Sequence, residues 1–502
     1  MTEQTLDPHL SEQLRRAEEA NAALRRELNP RWYPTFHIAA PAGWINDPNG
    51  LCFFQGRYQV YFQHNPASAP HHMMHWGHVS SEDLVTWRRE PIALAPTLEA
   101  DRDGVFSGSA VVGDDGLLYA FYTGHRWRNG VNEEEGNLQV QCLAVSEDGV
   151  SFEKRGVVVE GPEDLLHFRD PKVWRTGGTW WMVFGACSAE HRGEVWLYRS
   201  ENLLDWEFDR VLFRDPDPDA YMLECPDMFP LGNKWVILYC PMGPREDGFR
   251  ARNTHNAGYV VGEWEPGGDF CQLTEYRPLD WGHQFYAPQT FEAPDGRRIA
   301  LGWMGSFEIP VPTQAEDAWC GQLTVPRELT LDADLRLRNR PVAEIERLRA
   351  GTRESGPFEV GLNDDVVLLE DAEAYEIELE VDLARTTSER VALKLGLTPD
   401  GSHTLVAYDD LLGRVVIDRH AAAHGDRGQR GAPYPGGDRL QLRVLVDRGS
   451  VEVFVDDGAE SVSSFAFPAE GPRAAVLSSE SGTIAVESLR THLLRSAWEE
   501  TE

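Results

Sequence analysis

One short design recurs between residues 31 and 340, and it restricts the fold more than any other feature of the 502-residue chain. A small or acidic residue, often beside Pro, opens a run. A Gly-containing turn follows, and a strand of alternating aromatic and aliphatic residues returns. The openings fall at 47, 107, 170, 224 and about 287. Asp47-Pro48 leads through Gly56 to Tyr58, Val60 and Phe62, and Ser107 leads through Gly116 to Leu118, Ala120 and Tyr122. Asp170-Pro171 leads to Trp180, Met182 and Phe184, Glu224-Cys225-Pro226 to Trp235, Ile237 and Tyr239, and Pro288 to Ile299, Leu301 and Trp303. A second echo, Ser81-Glu82-Asp83-Leu84 before Trp87, returns at Ser146 before Phe152 and at Ser200 before Trp206.

Alternation with period two after a glycine turn marks a hairpin. A single hairpin cannot bury its apolar face, so such units must stack. Units of about 60 residues have room for four strands each, and five of them predict a five-bladed β-propeller rather than a sandwich of irregular hairpins.

The flanks follow other rules. Residues 1–30 read as an N-terminal helical extension, with a helix over 8–28 that Asn29-Pro30 stops. Leu10, Leu14, Ala17, Asn21, Leu24 and Leu28 form a heptad-like seam, for packing on the chain itself or for a dimerising coiled coil. Residues 341–356 read as a linker that begins with a short helix over 341–350. Residues 357–502 resume short alternating strands without the repeat and read as a separate β-sandwich. The fold class is therefore all-β: a propeller, then a C-terminal sandwich, with a short helix in front. The N-terminal helix and the sandwich are the two surfaces offered for a homo-oligomer.

Charge and cysteine usage narrow the function. A formal net charge of -35 repels nucleic acids and anionic membranes. No apolar run approaches the roughly 20 residues of a membrane helix, and no short apolar leader opens the chain. The seven cysteines are scattered, with no CxxC pair, as expected of reduced thiols in a cytoplasmic protein. His75 and His78 lack a further ligand motif, so no metal site is expected.

Three of the five openings carry an acid: Asp47, Asp170 and Glu224. In a propeller, equivalent positions rotate about one axis, so these carboxyls converge at the hub. Gathering like charges raises at least one pKa, which is the requirement for a glycosidase that needs one protonated and one ionised acid.

Several segments together resemble glycoside hydrolase family 32, the invertase, fructanase and sucrose-6-phosphate hydrolase family. They are Trp44-Ile45-Asn46-Asp47-Pro48-Asn49-Gly50, Phe168-Arg169-Asp170-Pro171-Lys172 and Glu224-Cys225-Pro226-Asp227. Gln63, His75-Trp76-Gly77-His78, Phe106-Ser107-Gly108-Ser109, Tyr286-Ala287-Pro288-Gln289 and Val451 to Gly458 extend the likeness. The resemblance implies retaining double displacement on terminal β-fructofuranosides, with no cofactor and a small sugar as partner. Asp47 would be the nucleophile, Glu224 the acid/base, and Asp170 the holder of sugar hydroxyls. Asn46, Gln63 and Ser107 would bond the sugar, Trp44 and Phe106 would wall it, Trp303 would be either a wall or a plain core position, and Arg169 would keep Asp170 ionised. His71 stands where many family members have Trp, which alters the leaving-sugar pocket. Arg126 and Arg128 are loop cations, either partners for a substrate phosphate or, as is more common for such residues, solvated surface. A fructosyltransferase on the same site, a non-catalytic carbohydrate-binding propeller and an arabinan-cleaving enzyme are the alternatives.

Overall fold

The computed structural model describes residues 8–162, 165–434 and 436–499. Five antiparallel sheets follow one another up to Pro341, and each opens with a strand that carries one of the repeat openings. These strands are Gly43–Phe54, Gly104–Val112, Phe168–Thr176, Met222–Leu231 and Tyr286–Glu292. Each touches the corresponding strand of the next sheet, and the fifth touches the first, so they close a ring. The ring is latched by Trp319-Cys320, which pairs in parallel with Gly43-Trp44. The second echo forms the turn after the third strand in three sheets. There the Ser81, Ser146 and Ser200 hydroxyls accept backbone N–H groups, and Asp83, Asp148 and Asn202 accept two more each.

A bulge recurs at the same place in all five opening strands, with two residues opposite one. The pairs are Asn46-Asp47, Phe106-Ser107, Asp170-Pro171, Cys225-Pro226 and Ala287-Pro288. Asp170, Cys225 and Ala287 take positive φ values of 69°, 49° and 47°, a conformation that costs a non-glycine residue energy. A bulge frees two residues from the ladder and re-aims their side chains.

Beyond residue 348, a seven-stranded and a six-stranded sheet face each other. Ile377, Leu379, Val444 and Val453 of one pack with Leu393, Val406, Ile417 and Leu477 of the other. The helix expected over 341–350 is only a 3-10 turn, Ala343–Leu348. Arg349–Ser355, read as linker, is an edge strand paired with Ile484–Leu494. Its side chains are almost all exposed, so the strand carries no apolar alternation to reveal it.

The first helix spans Pro8–Arg25, and Arg26 to Leu28 tighten into i→i−3 turns. Its seam is spent within the chain: Leu10, Ala17 and Asn21 are buried, and Asn21 Nδ2 donates to Ala42 O and Pro66 O at 2.9 and 3.2 Å. The seam therefore does not form a free dimerising stripe.

Buried charges join the two halves. His37 Nδ1 meets Asp447 at 2.9 Å and Nε2 meets Glu452 at 2.8 Å. Arg327 pairs with the same Glu452 and with Asp280 at 3.0 Å. Fully buried ion sets add little net stability but penalise any docking that separates the partners.

Candidate active site

Residues that share a bulge position meet across neighbouring sheets. Second-place residues Asp47 and Ser107 meet where the Ser107 hydroxyl donates to Asp47 Oδ2 at 2.6 Å. First-place residues Asp170 and Cys225 meet where the Cys225 N–H donates to Asp170 Oδ2 at 2.9 Å. The residues just before the bulge are Arg169, Glu224 and Tyr286 on three successive sheets. Arg169 Nη2 donates to Glu224 Oε1 at 2.7 Å, and the Tyr286 hydroxyl donates to Glu224 Oε2. The three acids thus reach the hub from three adjacent register positions. They do not share the single repeat position expected from sequence, because the bulges align Pro171 and Pro226 with Asp47. Gly108 lets the bulged strand lie close against its own neighbour Leu118–Trp127, since a Cβ there would stand 1.9 Å from Phe121 O.

Asp47, Asp170 and Glu224 line one cavity of about 220 Å³ together with Asn46, Gln63, His71, Phe106, Ser107 and Arg169. Asn46 Nδ2 donates to Asp47 Oδ1 at 2.9 Å, and Trp44 Nε1 holds Asn46 Oδ1 at 2.7 Å. Gln63 is anchored to Val105 O at 3.0 Å. Phe106 stacks on His125, with ring centroids 4.0 Å apart. The Cys225 sulfur lies between the acids, 3.7 Å from Asp47 and 3.6 Å from Asp170.

Trp44 and Trp303 are not on this wall. Their exposures of 1% and 0% place them behind it, where both pack against Phe307. Phe307 is the aromatic wall that sequence reasoning missed, and His71 meets it edge-on at 5.3 Å. His255, His167, Trp127 and Glu133 also line the cavity. All of these lie outside the repeated strand cores or at their ends, so periodicity gave no signal for them. Arg126 and Arg128 are not on the wall; Arg126 faces Glu99 at 3.9 Å.

The electrostatics correct the role expected of Arg169. Its side chain is bonded to Glu224, and its contact with Asp170 is 3.9 Å. Burial carries Asp170 up to about 7, with Glu224 and Asp47 adding to the rise and Arg169 opposing it. Burial also raises Asp47, against hydrogen bonds from Ser107 and Asn46. Burial pushes Glu224 upward as well, but the Arg169 charge and the bonds from Tyr286 and Arg169 outweigh it and leave Glu224 below the usual carboxylate value. Burial lowers His71 to about 4 and His125 to about 3, so both imidazoles are neutral near pH 7. One cation, a set of carboxyls sharing protons, and neutral hydrogen-bonding side chains suit acid–base and nucleophilic work on an uncharged polyol.

The chain matches two family models, the Glycosyl hydrolases family 32 N-terminal domain over residues 37–341 and the Glycosyl hydrolases family 32 C terminal over 344–492. It is 44% identical over 455 residues to a sucrose-6-phosphate hydrolase of Escherichia coli, covering 91% of this chain and 93% of that protein. It is also 44% identical to a raffinose invertase of Escherichia coli, covering 91% and 94%. A solved GH32 β-fructofuranosidase of Bombyx mori superposes with a TM-score of 0.85 at 32% identity, covering 98% of this chain and all of that one. A variant of that enzyme has been solved in complex with sucrose, with a TM-score of 0.84 at 33% identity, covering 97% and 99%. The ring of five sheets, the facing pair of sheets behind it and the acid cluster at the hub agree with these likenesses: the chain belongs to glycosyl hydrolase family 32.

Proposed function

We propose that this chain is a β-fructofuranosidase that hydrolyses unphosphorylated sucrose by double displacement in the hub cavity. One observation carries the reading: Asp47, Asp170 and Glu224, drawn from three sheets, open into the same small hollow beside a single cation. Asp47 attacks fructosyl C2 as the bond from C2 to the leaving oxygen breaks, and the proton held by the coupled carboxyls passes to that oxygen through Glu224. Water then attacks C2, Glu224 takes the water's proton, and the bond to Asp47 breaks to free fructose. Ser107 and Asn46 fix Asp47 for attack and favour its ionised form. Asp170 holds fructose hydroxyls and, with Asp47 and Glu224, keeps a proton within the cluster.

The wall argues for a neutral substrate. Arg169 is its one arginine or lysine among the described residues, and Glu224 already engages it. Glu133 adds a further negative charge. A phosphate on the leaving sugar therefore meets carboxylates and no unengaged guanidinium or ammonium group. Free cysteines and the similarity to bacterial sucrose-6-phosphate hydrolases support action on small sugars in the cytoplasm. Comparison of kcat/KM for sucrose, sucrose 6-phosphate and kestose tests the reading. Sucrose should exceed its 6-phosphate by about tenfold or more, the worth of one missing charge-assisted contact. An equal or higher value for the phosphate would overturn it.

A further inference from the structure

A second cavity, of about 540 Å³, lies where the propeller meets the sandwich. Arg250, Arg277, Arg336 and Arg414 line it against two carboxyls, Asp247 and Glu460. That ratio inverts the chain as a whole, in which 82 acidic residues face 47 basic ones. Among the described residues, none of these four arginines forms an ion pair with a carboxylate, whereas Arg327, Arg349 and Arg390 each do. Like charges gathered without a counter-charge are costly, and the cost falls when an anion arrives. Glu460 does not supply that counter-charge in full. Burial pushes it up to about 7, and Trp281 Nε1 donates to its Oε2 at 2.7 Å.

Half of the cluster is preorganised. Arg414 donates through Nε and Nη2 to Gly431 O at 3.1 and 2.7 Å, and its guanidinium lies over the Phe249 and Trp281 rings at 4.1 and 5.1 Å. Arg277 Nη1 is tied to Leu335 O at 2.8 Å. Arg250 and Arg336 are exposed and complete the cluster. Planar guanidinium forks match the oxygens of a phosphoryl group. The large negative charge of the chain repels a polyanion, which leaves a small one as occupant.

We propose that this interdomain cavity binds the phosphoryl group of a small phosphate, free or as the monoester of a sugar, at a site separate from the hub. Trp281 and Tyr434 line the same cavity and give it aromatic surface that the sugar of such an ester can contact. Isothermal titration of the full chain with glucose 6-phosphate, inorganic phosphate and glucose tests this. Ionic strength is held fixed, and saturating fructose fills the hub. One saturable site is expected for both phosphates and none for glucose. In Arg250→Ala/Arg336→Ala both affinities should fall by about tenfold or more, with sucrose turnover unchanged. Tighter binding of the ester assigns the aromatic floor to a sugar ring, and equal binding assigns the site to the phosphoryl group alone; both support the proposal. No saturable phosphate binding, or binding in the double variant equal to that of the unaltered chain, overturns it.

Discussion

Arg169 and Glu224 occupy the same register position on neighbouring sheets, and their side chains bond at 2.7 Å. Asp170, the chain neighbour of Arg169, receives only a 3.9 Å contact. The cation of the hub therefore anchors the candidate acid/base and leaves the burial of Asp170 largely uncompensated.

The alkaline limb of kcat/KM for sucrose should fall near pH 7, because coupled carboxyls titrate as a set and the hub loses its last proton there. In Arg169→Gln the cation is gone and every carboxyl holds its proton more tightly. The limb should move up by about one pH unit, and kcat should fall roughly 100-fold as Glu224 loses its anchor. A profile of the same shape and position in the variant would contradict the pairing.

Asp170→Asn should remove activity while stabilising the fold at high pH. The folded value of about 7 lies above the ordinary 3.8, so this group's stabilising contribution is full below about pH 4 and is lost as pH rises through 7. Asparagine carries no charge to bury and keeps an oxygen for the Cys225 N–H. The variant should match the unaltered chain at pH 4 and exceed it by roughly 1–4 kcal/mol at pH 8. Sucrose turnover should drop by about 10³ or more. Thermal unfolding at the two pH values checks the difference, which must grow with pH.

His37 gives the opposite lesson at the domain junction. Burial would lower it, but hydrogen bonds and charge from Asp447 and Glu452 raise it to about 9. Its contribution is full below the ordinary 6.5 and fades as pH rises through 9. His37→Gln leaves two buried carboxylates without this cation and should cost about 3–5 kcal/mol at pH 6. Between pH 7 and 10 the Tm of the unaltered chain should approach that of the variant. A constant gap across that range would refute the ionised junction.

The repeat, the ring and the convergence of the three acids were legible because side chains alternate with period two and glycines mark each return. The register was not. A bulge consumes two residues against one, so Glu224 stands one place before Cys225 and pairs in register with Arg169 and Tyr286 rather than with Asp47. Trp44 reads as a wall, and Trp303 as a wall or a core position, because both are large, aromatic and close to the motifs. Facing decides instead, and their rings point behind the cavity towards Phe307. Phe307, His255 and Glu133 lie on connections between or beyond the repeats, where no periodicity places them. The strand Arg349–Ser355 escaped because an exposed edge buries nothing.

Asp47 is the proposed oxygen donor to fructosyl C2. Glu224→Gln, given a fructoside with an activated leaving group, should form the covalent intermediate faster than it releases it. Proteolysis and mass spectrometry of the quenched protein then locate the label. One added fructosyl group is expected on the peptide that contains Asp47. A fructosyl group on Asp170 instead, or none anywhere while product accumulates, would contradict it.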